Sequence, residues 1–92
     1  MILIDPPLWW FRERRWSHLV SDESIEELHR FARDNDIDRR GFHGDHYDVP
    51  EEYVDRLIAA GAVPVSSREV LRRLRESGLR RRPAERRRLK SE

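Results

Sequence analysis

Three helix starts are written into the chain, and they divide it into pieces too short for anything but brief strands. Ser24 with Glu27 and Ser66 with Glu69 each form a capping box, in which the hydroxyl satisfies a free N–H of the first helical turn. Pro50 suits the first position of a helix, where its missing donor costs nothing, and Glu51 and Glu52 complement the positive end of the helix dipole. Each start is followed by an apolar stripe. Ile25, Leu28, His29 and Ala32, flanked by Phe31, serve the first helix; Tyr53, Val54, Leu57 and Ile58 the second; Val70, Leu71 and Leu74 the third. Asn35 or Asp36 is expected to take the left-handed conformation that ends the first helix. Gly61 and Gly78 close the others, and Leu79 folds back on Leu74.

The remaining apolar runs read as strands. Ile2-Leu3-Ile4 is a short buried strand ended by Asp5-Pro6-Pro7, since consecutive prolines cannot continue a ladder of donors. Residues 5–15 read as a loop. Residues 16–20 alternate, with Trp16, His18 and Val20 on one face and Ser17 and Leu19 on the other. Residues 42–49 give a third extended segment broken by Gly44, and Val63-Pro64-Val65 an edge strand that tolerates its proline. The order β, β, α, β, α, β, α predicts a single small α/β domain of two or three layers. Its three helices would pack on a mostly parallel sheet of three to four short strands.

Composition bounds the rest. A chain of 92 residues hides only roughly two-thirds of the surface it exposes when unfolded, so one modest core is the limit. Charged residues make up 40% and hydrophobic ones 37%, yet the apolar positions are periodic and include three Trp, which favours folding over disorder. Cysteine is absent, so thiol catalysis, disulfides and thiolate metal sites are excluded. The opening apolar run is too short for a signal peptide or a membrane span, and a cytoplasmic protein without a membrane partner is expected. The net charge of +1 is unevenly spread. Residues 1–79 form the expected compact domain, and residues 80–92 a solvated basic tail carrying Arg80, Arg81, Arg82, Arg86, Arg87 and Arg88.

Open α/β sheets bind ligands beyond the carboxyl ends of their strands. Here those ends are polar: Asp5 follows the first strand, His18 and Asp22 close the second, and His43, His46 and Asp48 lie on or near the third. On a strand His46 and Asp48 face the same way, so imidazole and carboxylate suit one divalent metal or one substrate. Two histidines and two aspartates within residues 42–48, beside Gly44, fit a metal or a general acid and base. The competing reading is a turn: Asp45 bonding local backbone, His46 capping a neighbour and Asp48 starting the Pro50 helix. His18 either carries a proton or orients a phosphate, or is simply a packed histidine bonded to Asp22 or to backbone. His29 lies in the apolar stripe and reads as a core-boundary residue. Trp9, Trp10 and Phe11 beside Arg12, Arg14 and Arg15 either stack bases or cover a hydrophobic edge.

Taken together, Trp16-Ser17-His18-Leu19-Val20-Ser21-Asp22, Glu27-Leu28-His29, His46-Tyr47-Asp48 and Gly61-Ala62-Val63 resemble the bacterial and phage family catalogued as domain of unknown function 4031. The resemblance covers residues 1 to about 80, with Ser-His-Leu and His-Tyr-Asp as its most recognisable marks. It implies a compact stand-alone domain, points to His18, Asp22, His46 and Asp48, and supplies no mechanism. Asn35-Asp36 departs from the glycine that similar proteins tend to carry after the first helix, and the arginine tail lies outside the shared region.

Two function classes follow. In the leading one, His18, His46 and Asp48 are catalytic groups of a small enzyme or binding domain acting on a phosphorylated or nucleotide-like ligand. Asp5, Asp22, His43, Tyr47 and Trp16 are then ligand-binding, and His46 and Asp48 hold a divalent metal, with Mn²⁺ or Zn²⁺ preferred over all-oxygen Mg²⁺. In the other, a non-catalytic module binds nucleic acid or a protein through the basic tail and the Trp-rich segment.

Overall fold

The computed structural model describes residues 1–79. The expected tail and its six arginines therefore lie outside the described residues. Within them the strands are β1 (Ile2–Ile4), β2 (Trp9–Phe11), β3 (Arg14–Ser21), β4 (Tyr47–Pro50) and β5 (Val63–Pro64), and the helices are α1 (Ile25–Asp34), α2 (Val54–Ala59) and α3 (Ser67–Ser77). Both serine N-caps form, Ser24 accepting from Glu27 N and Ser66 from Glu69 N, while the Glu27 and Glu69 carboxylates bond to Ser21 and to Arg72 instead. Asp36 takes the left-handed conformation at φ +58° just beyond α1, and Gly78 does so after α3.

The sheet is mixed and mostly antiparallel, which overturns the expectation of a mostly parallel one. β3 is antiparallel to β1, β2 and β4, and only β5 pairs in parallel, with β1. Four strands thus share one direction, and the fifth runs against them from the middle of the sheet. Two reversals cause this. The first is the Arg12–Glu13 turn, whose φ values of +51° and +62° are those of the tight hairpin turn that matches strand twist. It converts the expected 5–15 loop into an arm in which β2 pairs with the start of β3. The second lies at residues 43–46, where His43 N donates to His46 O and Gly44 sits at φ +77°. That reversal sends β4 back down β3 after α1 has already returned the chain, so a sequence order that looks like a crossover ends antiparallel. The expected 42–49 strand accordingly starts only at Tyr47.

The second helix also differs. Pro50 ends β4 opposite Trp16, a single 3-10 turn (Glu51–Tyr53) follows, and α2 begins at Val54. Leu57 is buried there while Ile58 stays exposed.

Helices cover both faces of the sheet. Ile2, Ile4, Leu19, Tyr47 and Val49 meet Leu28, Ala32 and Leu57 of α1 and α2 in the larger core. On the other face Leu3 and Val20 pack on Val70 and Leu74 of α3, with Leu79 closing against them. Among the described residues fourteen hydrophobic ones are buried, most of them on the first face. On that second face α3 packs over Leu3 and Val20 and borders His18 across a cleft, while Trp9, Phe11, Trp16 and Asp48 line a separate cavity.

Candidate metal centre

Strand register places the site. His18 on β3 lies directly opposite Asp48 on β4, and alternation puts His46 on the same face, two residues before Asp48. Asp5 reaches the pair because β1 and β2 occupy one edge of β3 with a break between them. Ile4 pairs with Leu19 and Trp9 with Trp16, leaving Asp5-Pro6-Pro7-Leu8 to bow out opposite only Ser17 and His18. The prolines that end β1 thus create the bend that turns Asp5 inward.

The buried Asp5 carboxylate accepts from His18 N at 2.6 Å through Oδ1, and meets His18 Nδ1 at 2.8 Å through Oδ2. Ser67 at the start of α3 donates to the same Oδ2 at 2.9 Å. Asp45, also buried, holds His46 Nδ1 at 2.6 Å. Each imidazole therefore has its Nδ1 occupied by a carboxylate, which orients the ring and leaves Nε2 for a ligand. Both Nε2 atoms approach Asp48 Oδ1, at 3.2 Å from His46 and 4.0 Å from His18. That oxygen is buried and accepts no hydrogen bond of acceptable geometry. His43 Nε2 stands 3.2 Å from the other Asp48 oxygen. The three donor atoms of His18, His46 and Asp48 lie within 4.8 Å of one another, a cluster capable of holding a divalent metal.

Burial opposes the charged form of His46, but the carboxylates of Asp45 and then Asp48 more than offset it and lift the ring's pKa to about 9. At neutral pH this site attracts a positive charge. The same groups can hold either a proton or a metal ion.

Beside the cluster opens a cavity of about 630 Å³ lined by Trp9, Phe11, Trp16, Arg12, Arg40, Gly41, His43 and Asp48. Trp9 stacks between Phe11 and the His18 ring, with interplanar angles of 10° and 6°. On the other side, His18 and His46 border a smaller cleft of about 280 Å³ against Val70, Leu71 and Leu74 of α3. Gly41 matters to this packing, since a β-carbon there would lie 3.2 Å from Asp48 O.

Residues 2–77 match the family described as "Protein of unknown function (DUF4031)". The chain belongs to that family. No curated protein and no solved structure matches it. The DUF4031 match spans every strand and helix described above, and the cluster and its cavity fall inside it.

Of the residues that the sequence singled out in this DUF4031 domain, His18, His46 and Asp48 come together, Asp5 and His43 touch them, and Trp16 lines the adjoining cavity. Asp22 and Tyr47 do not join them. Asp22 points to the α3 side and pairs with Arg73 at 2.8 Å. Burial opposes its ionised form, but the terminal ammonium and Arg73 prevail and hold its carboxyl below the usual range. Tyr47 faces the opposite core, where its hydroxyl meets His29 Nδ1 at 2.7 Å. It is the strand alternation itself that parts Tyr47 from its neighbours His46 and Asp48. Sequence reasoning missed Asp45 as the partner of His46, although adjacent Asp and His were the visible signal. Ser67 had none, because long-range packing brings it in; Trp9 and Phe11 were singled out for stacking or cover, but not as neighbours of His18. Among the described residues no helix is long and apolar enough to cross a membrane.

Proposed function

We propose that this domain binds a divalent transition-metal ion through His18 Nε2, His46 Nε2 and Asp48 Oδ1, and uses it to bind or hydrolyse a phosphorylated ligand. The observation that carries this reading is the convergence of two carboxylate-anchored imidazoles on a buried Asp48 oxygen that accepts no hydrogen bond. Two nitrogens and one carboxylate oxygen suit Zn²⁺, Mn²⁺ or Fe²⁺ better than Mg²⁺, and three protein ligands leave positions open. Such an ion polarises a phosphoryl oxygen and activates water. Asp5 and Asp45 are positioning residues that fix the two rings. His43, on the outer oxygen of Asp48 and at the cavity wall, is placed to carry a proton at the ligand.

Calorimetric titration of the full chain with Zn²⁺ and Mn²⁺ tests the reading. Saturable binding at one site is expected, weakened by more than about a hundredfold in Asp48→Ala or His18→Ala, because loss of a direct ligand exceeds the 10–100-fold typical of an outer-shell partner. Unchanged affinity in a folded Asp48→Ala variant would sink it.

A second reading draws on the aromatic arm. Trp9, Trp10 and Phe11 remain 43%, 63% and 47% exposed, which leaves aromatic surface open to a partner. As a non-catalytic nucleic-acid or protein-binding module, the domain would use them together with Arg80, Arg81, Arg82, Arg86, Arg87 and Arg88. Strongly salt-dependent binding that disappears on deletion of residues 80–92, with no role for Asp48, separates this reading from the first.

A further inference from the structure

We infer that the cavity beside the metal cluster is a nucleotide subsite: it stacks a nucleobase on the Phe11–Trp9–Trp16 wall while Arg12 holds phosphate. This deepens the metal reading and rests on it for the placement of the reacting phosphate.

The chemistry of the lining selects the ligand. Three aromatic rings line the cavity, and the charged or titratable groups that share the lining are Arg12, Arg40, His43 and Asp48. A sugar phosphate would need polar partners along the wall. A flat π-system needs faces. Trp9 and Phe11 are kept nearly half exposed with their ring planes within 10° of each other, a costly arrangement for a small domain unless something lies on it. The volume of about 630 Å³ falls within the roughly 300–1,000 Å³ of small-molecule sites.

Charge agrees with shape. Arg12 lies over the Phe11 ring at 5.3 Å and makes no ion pair among the described residues, so its guanidinium is available to an anion. Arg40 is partly neutralised by Asp38 at 3.1 Å and contributes less. An ion on His18, His46 and Asp48 would add positive charge where Asp48 borders the cavity. A planar ring bearing phosphate satisfies the aromatic wall and the cationic groups of the lining at once. A free nucleoside phosphate and the phosphorylated end of a single strand present that same chemistry.

The test uses the full chain loaded with Zn²⁺ or Mn²⁺ and four probes: a nucleoside 5′-monophosphate, the nucleoside, ribose 5-phosphate, and a 5′-phosphorylated trinucleotide. The monophosphate should bind about tenfold or more tightly than either fragment, the scale set by one base stack. Phe11→Ala should abolish its advantage over ribose 5-phosphate, and Arg12→Ala should weaken both phosphorylated small probes while sparing the nucleoside. Phe11 is chosen because Trp9 packs on His18 and would disturb the cluster. A trinucleotide that outbinds the mononucleotide, with the same loss in Phe11→Ala, assigns strand ends; one that is excluded assigns free nucleotides. Equal affinity for monophosphate and ribose 5-phosphate, or an advantage that survives Phe11→Ala, overturns the inference. Metal binding without nucleotide binding refutes this subsite alone. Nucleotide binding that depends on Phe11 but is indifferent to chelator refutes the metal reading alone.

Discussion

The two faces of the β3–β4 pair are made by the same eight or so residues, yet one is a closed core and the other an open site. Ser17, Leu19, Tyr47 and Val49 point toward α1 and α2 and are almost wholly buried. Trp16, His18, His46 and Asp48 alternate with them and stay partly exposed, because the apolar side of α3 closes over Leu3 and Val20 and meets His18 and His46 only across an open cleft. Each face holds a histidine against a hydrogen-bonding partner, with opposite results. His29 meets a neutral phenol, and burial together with Arg39 lowers its pKa; His46 meets two carboxylates and its pKa rises to about 9. Depth alone therefore does not set a histidine's charge. The partner does.

The largest expected effect falls on the closed face. Leu19→Ala should cost about 2–5 kcal/mol in urea or thermal unfolding, as a fully buried leucine in a packed core. His18→Ala, one residue away on the open face, should leave the unfolding midpoint much closer to wild type. If the two variants melt alike, the contrast between the faces is wrong.

A pH effect comes next and belongs to the open face alone. The folded metal-free protein binds the His46 proton more tightly than the unfolded chain, whose ring has the ordinary value of 6.5. The resulting stabilisation is fully present below that value and is lost as pH rises through about 9. Urea midpoints measured with chelator present should fall across this window, and His46→Gln should flatten the profile. Saturating Zn²⁺ should flatten it too, since the ion displaces the proton.

Smaller still is the effect of loosening one ring. Asp45→Asn should weaken Zn²⁺ binding by about 10–100-fold, the usual consequence of losing a carboxylate behind a histidine ligand. An affinity equal to wild type would mean that Asp45 anchors the turn and not the metal. The smallest effect returns to the closed face, where Tyr47→Phe removes the hydrogen bond to His29 at a cost of about 0.5–1.5 kcal/mol. Metal affinity should not respond. A drop would show that the faces communicate.

How far the sequence could be read depended on the range of the interaction. Ser24, Ser66, Asp36 and Gly78 act on their own helices within a few residues, and each end they specify was legible. The strand direction was not. Arg12 and Glu13 carry none of the Asn-Gly or Asp-Gly chemistry that announces a tight hairpin, so the arm looked like a loop. Gly44 was visible as a break but not as the reversal that makes β4 antiparallel. Pro50 fits a helix start by local preference and was taken instead as the end of a strand by pairing with Trp16.

The candidate site divides in the same way. His18, His46 and Asp48 could be nominated because alternation on a strand is local, and it also parts them from Tyr47. Asp5 and His43 were nominated as well, but only the fold supplied their partners, and only the fold brought Ser67 and the Trp9–Phe11 wall to the same place.

By itself, then, the order of residues determined which segments are helices, where they are capped and which strand residues share a side, since each depends on torsions and spacings a few bonds apart. Only the tertiary structure decided that one central strand opposes the other four, that a proline bend swings Asp5 onto His18, and that α3 packs on Leu3 and Val20 and leaves a cleft beside the histidines. Those outcomes turn on pairing between segments far apart in the chain. No local preference encodes them.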